Sequence, residues 1–200
     1  MSALIRWAKS YGAEVSGSDG AYSKAVSGLI EDGFDVYVGS DEKRISGVDI
    51  VVYTSAVNDE NPELSRARSL KKTAVERHVF LGLLSENFKK VIAVSGTHGK
   101  TTTASMAAHI LHQSSIGCNA FLGGILKNYN SNLLLSADSP YSVIEADEFD
   151  RSFHHLKPYI AVVTATDPDH LDIYGTEEAY LESFAHFTEL ITPGGVLVVH

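Results

Sequence analysis

The stretch Gly96-Thr97-His98-Gly99-Lys100-Thr101 lies between an apolar run beginning at Val91 and a helical pattern that resumes after Lys100. Glycines at 96 and 99 let the backbone turn until several N–H groups face one point. The N-terminus of the following helix adds partial positive charge there, and Lys100 adds a full one. Thr101 offers a hydroxyl of the kind that ligates Mg²⁺ among phosphates. These types in this order serve nucleotide triphosphate binding, with Gly96, Thr97, His98, Gly99, Lys100, Thr101 and Thr102 as the binding segment. The spacing is shorter than a standard P-loop, whose first glycine would fall on Val94. An ordinary turn with a solvated lysine is the plainer alternative. Strand, Gly-x-x-Gly-Lys-Thr-Thr and helix in register are the rarer combination and favour the phosphate site. His98 stands evenly between substrate contact and loop packing.

Two acidic clusters follow. Glu145, Asp147, Glu148 and Asp150 close one apolar run, and Asp167, Asp169, His170 and Asp172 close the next. In open α/β sheets ligands gather at the carboxyl ends of strands, and all three motifs occupy that edge. Carboxylates suit Mg²⁺. Imidazole suits softer metals, so residue chemistry alone also leaves a transition-metal site open at His170. Glu148, Asp150 and Asp172 read as solvated loop ends.

The elements that must position these residues alternate. Ser2–Tyr11 reads as a helix closed by Gly12, 13–19 as a strand, Ser23–Asp32 as a helix ended by Gly33, and 34–40 and Val48–Val57 as strands. Asn61-Pro62-Glu63 opens a further helix, with Pro62 near its first position. A helix over Glu76–Ser85 then gives way to the strand at Val91. Strands follow at Tyr141–Asp147 and Tyr159–Asp167, a helix at about Glu177–Ile191, and a strand from Val196. This pattern predicts an α/β fold in which helices cover a mainly parallel sheet. The expected boundary lies between residues 88 and 89. Both ends read as interrupted, so the chain is expected to be an internal piece of a longer protein. His154 and His155 are read as strand neighbours on opposite faces with a structural role. Cys118 is read as a packing residue, and Trp7 as a core or surface aromatic.

Composition narrows the classes. With 44% hydrophobic and 20% charged residues the chain can bury a core. A formal charge of −9 disfavours general nucleic-acid or anionic-membrane binding. One cysteine cannot form an internal disulfide, which suits a reducing cytoplasm. No apolar run approaches the ~20 residues of a membrane span, and the first residues lack the layout of a signal peptide.

"GTHGKTTT", "EADEFDRSF" and "DPDHLDIYG", in that order, resemble the Mur ligase family, and "GSD", "TSAVNDENPEL" and "SFHHLKP" strengthen the likeness. The resemblance implies a Rossmann-like UDP-sugar domain over 1–88 without its first strand and glycine turn. It implies the front of a central ATPase domain over 89–200, and a C-terminal amino-acid domain outside the chain. It implies ATP and Mg²⁺. The reaction it implies joins L-alanine to the carboxylate of UDP-N-acetylmuramate through an acyl phosphate, in peptidoglycan precursor synthesis. Alternatives are a member that recycles a tripeptide, and a non-catalytic nucleotide-binding module. By family position Lys100, Glu145 and His170 are catalytic, and Thr101, Glu145 and His170 hold metal. Ser2, Asp19, Ser55 and Asn61 line the sugar-nucleotide site. Ala165 departs from the family, which usually has asparagine there.

Overall fold

Lys90–Ser95 (β5) is apolar on both faces, as a strand buried between two helical layers must be. Val91, Ala93 and Ser95 alternate with Ile92 and Val94, and all five are buried. β5 sits inside a six-stranded sheet of the unit Leu81–His200, one of two compact units into which residues 1–200 of this computed structural model divide. The sheet order is β10-β9-β5-β8-β6-β7, with β6 at Asn119–Leu126, β7 at Ser131–Leu134, β8 at Tyr141–Glu145, β9 at Ile160–Val163 and β10 at Val196–Val199. All neighbours are parallel except β6 and β7.

The chain leaves β5 toward β6, returns to β8 beside β5, then crosses to β9 on the other side. In open α/β sheets such a reversal is where ligands gather, at the carboxyl ends of the strands, here β5, β8 and β9. Helix α5 (Lys100–Gln113) presents Ala104 and Ala108 to the sheet, where they pack with Ile92, Val94, Leu122 and Val143. Small residues let the helix approach closely. A second cluster is aromatic: Phe153 stacks on Phe187, and Phe184 meets both Phe153 and Tyr180 edge-on. Tyr180, Phe184 and Phe187 lie on α7 (Glu177–Glu189), which Thr176 caps by accepting from the Ala179 N–H.

The unit Met1–Phe80 carries helices α1 (Ser2–Ser10), α2 (Lys24–Glu31) and α3 (Pro62–Ser69) and strands β1 (Ser16–Asp19), β2 (Asp35–Val38), β3 (Ile50–Tyr53) and β4 (Thr73–Glu76). Helix α4 (Arg77–Ser85) spans the division. The single sheet expected for this part is instead two parallel pairs, β1–β2 and β3–β4.

Glu63 ties this unit together. It is only 9% exposed. Its carboxylate accepts from the Ser18 hydroxyl at 2.5 Å, from the Asp41 N–H at 2.9 Å, and from the Tyr37 hydroxyl. β1, β2 and the turn after β2 are thereby fastened to the start of α3. Burial works to raise the Glu63 pKa, but the Asp41, Ser18 and Tyr37 bonds prevail and hold it below the ordinary carboxylate value. Burial and the same bond push Tyr37 up to about 12.

A carboxylate with a depressed folded pKa contributes stability that is present above its unfolded pKa and lost as pH falls through the folded value. Glu63→Gln is therefore expected to cost about 1–3 kcal/mol at pH 7 and to flatten the acid dependence of stability below the ordinary carboxylate range. Urea unfolding followed by the fluorescence of Trp7, the single tryptophan, reads both. An unchanged pH slope would show that Glu63 is not the linked group.

Candidate nucleotide site at the carboxyl edge of the six-stranded sheet

β5 turns into α5 within four residues. Gly96 has φ +130°, and a Cβ there would lie 2.3 Å from Thr164 Oγ1 and 2.8 Å from the Ala165 nitrogen. Only glycine seats the loop this close to the chain leaving β9. The loop is stitched there on several sides. The Thr97 N–H donates to the Ala165 carbonyl at 2.9 Å. The Thr97 hydroxyl donates to the Asp167 carbonyl at 2.7 Å and lies 2.8 Å from the Tyr180 hydroxyl. Thr164 Oγ1 donates to the Ser95 carbonyl at 3.1 Å and to the His98 carbonyl. Gly99, at φ +82°, caps α5 without a side chain, so nothing of its own covers the first N–H groups of the helix. His98, Gly99, Thr101 and Thr102 are exposed around this opening.

Lys100 does not reach into solvent. Its ammonium donates to the Gly96 carbonyl at 2.7 Å and to Glu148 Oε1 at 2.7 Å, with the Glu148 side chain 1% exposed. Beside it, Thr101 donates to Glu145 Oε1 at 2.6 Å, and the Gly123 N–H donates to Glu145 Oε2 at 2.8 Å. A Cβ on Gly123 would lie 2.9 Å from Glu145 Oε1, and one on Gly124 3.0 Å from Thr101 Cγ2. The two glycines of β6 thus make the space in which Thr101 and Glu145 meet. A hydroxyl and a carboxylate side by side are hard oxygen donors of the sort Mg²⁺ accepts alongside phosphate and water.

His170 sits with φ +53° at the start of the short helix α6 (Leu171–Tyr174). Its Nε2 is 3.7 Å from Asp169 Oδ2, and its ring meets Phe149 edge-on at 5.1 Å. No hydrogen bond or ion pair joins it to Thr101 or Glu145, and no three His, Cys, Asp or Glu side chains gather as a metal-binding group. The expected sugar-nucleotide residues belong to the unit Met1–Phe80. Ser2 begins α1. Asp19 ends β1 and accepts from the Ala21 N–H. Ser55 is exposed after β3. Asn61 caps α3 by accepting from the Glu63 and Leu64 N–H groups.

With this geometry in view, the family models decide the kinship. The Mur ligase middle domain matches residues 94–200, and the Mur ligase catalytic domain matches residues 1–89. The chain belongs to the Mur ligase family. It is 54% identical over 205 residues to a UDP-N-acetylmuramate–L-alanine ligase of Phocaeicola vulgatus, covering 100% of this chain and 44% of that protein. A protein of the same name from Parabacteroides distasonis is 50% identical, with the same coverage. Among solved structures, a UDP-N-acetylmuramate–alanine ligase of Thermotoga maritima superposes with TM-score 0.87 at 30% identity, over 100% of this chain and 46% of that one. A UDP-N-acetylmuramate:L-alanyl-γ-D-glutamyl-meso-diaminopimelate ligase of Neisseria meningitides gives 0.90 at 28%, over 100% and 67%. The chain thus spans less than half the length of the curated relatives it matches. The family's architecture accords with the mainly parallel α/β sheet. No helix is long and apolar enough to cross a membrane.

Within the family, particular residues depart from the sequence reading. Glu148 is not a solvated loop acid. It is 1% exposed and accepts from the Lys100 ammonium, and the chain just past it turns through Asp150 and Arg151, both at positive φ. His154 and His155 lie in the 3₁₀ segment Phe149–His155, not on a strand. His154 stacks on Phe153 and bonds Ser183, and its burial lowers its pKa and favours the neutral ring. Cys118 is buried, and burial pushes its thiol up to about 11, as suits packing. Gly123, Gly124, Thr164 and Tyr180 escaped notice, since a glycine pair inside an apolar run reads as a weak strand and reveals nothing of a neighbour's carboxylate.

Gly96→Ala is expected to force the loop off Thr164 and Ala165, at a cost of about 2 kcal/mol or more. Thermal unfolding should show a lowered Tm, while Gly12→Ala, whose Cβ would meet nothing within 4 Å, should lower it less despite its own positive φ. Equal effects would mean that the tight seat at Gly96 is not what constrains the loop.

Proposed function

We propose that this chain carries the nucleotide-binding part of an ATP- and Mg²⁺-dependent ligase that joins L-alanine to the carboxylate of UDP-N-acetylmuramate. The observation that carries the reading is the meeting of Lys100, the open start of α5 and the Thr101–Glu145 pair at one strand-to-helix turn. The names of the relatives, at 40–54% identity, support the substrates. The Neisseria structure is the reason to keep a second reading, the same chemistry with a tripeptide as the amine.

A carboxylate resists attack because it is anionic and lacks a leaving group. Phosphorylation to an acyl phosphate supplies one, and the amine of L-alanine then displaces phosphate. The first step brings two anions together. In this reading the free N–H groups of the loop and of the α5 start orient the phosphates, the Thr97 N–H being held by Ala165, and Lys100 offsets the charge that builds on the transferring group. Thr101 and Glu145 would hold Mg²⁺, and the family resemblance adds His170. The bound ion supplies further neutralisation of phosphate charge. Thr97 and Thr164 keep the loop fixed, so that positioning is established before the substrates arrive. Ser2, Asp19, Ser55 and Asn61 are the residues assigned to UDP-N-acetylmuramate, and residues 1–88 and 89–200 the two domains.

The test is ATP-dependent phosphate release with Mg²⁺, UDP-N-acetylmuramate and either L-alanine or the tripeptide. It is run on this chain and on a protein carrying it at the full length of its relatives. Lys100→Ala is expected to lower turnover at full length by about 100-fold or more. It also leaves Glu148 buried without a partner, which costs about 3–5 kcal/mol. The double variant Lys100→Ala/Glu148→Gln should recover stability without recovering turnover. Turnover equal to wild type in the double variant would remove Lys100 from the mechanism.

A further inference from the structure

Glu148 has no part in the reading above, yet it is the most buried acid of the chain and its partner is Lys100. Three facts about it belong together. Glu148 Oε1 takes one hydrogen of the ammonium. The Gly96 carbonyl takes a second, which folds the lysine back across its own loop. Glu148 Oε2 is buried with no hydrogen-bond partner at all. A buried carboxylate left half-satisfied is poorly accommodated. Packing alone would have favoured an apolar residue or an amide at this position, so the charge calls for another explanation.

The backbone holds the carboxylate in place. The Glu148 carbonyl accepts from the Arg151 N–H at 3.0 Å and from the Tyr174 hydroxyl at 2.5 Å, and the Arg151 guanidinium lies over the Tyr174 ring. Glu148 is therefore a fixed anion, whereas Lys100 is a long, flexible cation.

We propose that Glu148 is a positioning residue that holds Lys100 folded back while the loop is empty and competes with phosphate for it. The proposal rests on the assignment of the Gly96–Thr102 loop to nucleotide phosphates. An arriving polyphosphate must draw Lys100 away from Glu148, and it must approach a second negative charge to do so. Both effects oppose bare or partial anions, so the loop discriminates against weak phosphate ligands. The sign of the effect is opposite to that of a residue that aims Lys100 at phosphate.

The experiment compares wild type, Glu148→Gln and Glu148→Asp by calorimetric titration with ATP, inorganic triphosphate and adenosine. In parallel, the acetylation rate of Lys100 is followed by peptide mass spectrometry with no nucleotide present. Circular dichroism melts check that each variant is folded. Glu148→Gln is expected to bind ATP and triphosphate about tenfold more tightly, to leave adenosine unchanged, and to acetylate Lys100 several-fold faster. Glu148→Asp, which keeps the charge, should stay closer to wild type in both. Weaker ATP binding or an unchanged Lys100 rate in folded Glu148→Gln overturns the proposal. If no protein binds ATP or triphosphate, the phosphate assignment fails and takes the competition with it. The acetylation rates then still report whether the Lys100–Glu148 pair exists.

Discussion

An ammonium, two carboxylates and the start of a helix converge where β5 becomes α5, and their mutual charge sets what this edge of the sheet can hold. Gly96 permits the convergence. Its missing side chain lets the loop lie against Thr164 and Ala165, and the Thr97 and Thr164 bonds then lock it to the chain leaving β9. Strand order reverses at this point, so the loops after β5, β8 and β9 emerge at one edge of the sheet. Packing elsewhere serves this geometry. Ala104 and Ala108 bring α5 down onto the sheet, and the aromatic cluster around Phe153 supports the segment that delivers Glu148.

The two acids sit in different settings. Glu145 is half-exposed in setting and held by Thr101 and Gly123, so its oxygens stay near the opening. Glu148 is sealed and faces Lys100 from below. Lys100 is paired with Glu148, while Glu145 is engaged by Thr101 and the Gly123 N–H.

Much of this was legible in the sequence, and the gaps have physical causes. The β5–loop–α5 turn was readable because an apolar run, two glycines and a helix pattern coincide within a few residues. The Asn61 cap with Pro62 behind it was readable for the same local reason. The burial of Glu148 was not. "EADEFD" reads as a polar turn, and the burial of its second glutamate depends on a partner 48 residues away, Lys100, which local sequence cannot reveal. The β6–β7 hairpin was hidden by Gly123 and Gly124, which lower strand propensity yet are needed to admit Glu145 and Thr101. The split of the first unit's strands into two pairs depends on pairing partners, which alternation of helix and strand does not specify. His170 matched by family position, but its ring rests on Phe149, a contact between cluster and loop that spacing cannot reveal.

The most direct measurement is a ¹⁵N–¹H NMR titration of the chain with Mg²⁺ and a non-hydrolysable ATP analogue. The largest shifts are expected on the amides of Gly96–Thr102, with Gly123 following as Glu145 changes partners. Shifts concentrated elsewhere, or none in this segment at saturating ligand, would contradict the phosphate assignment.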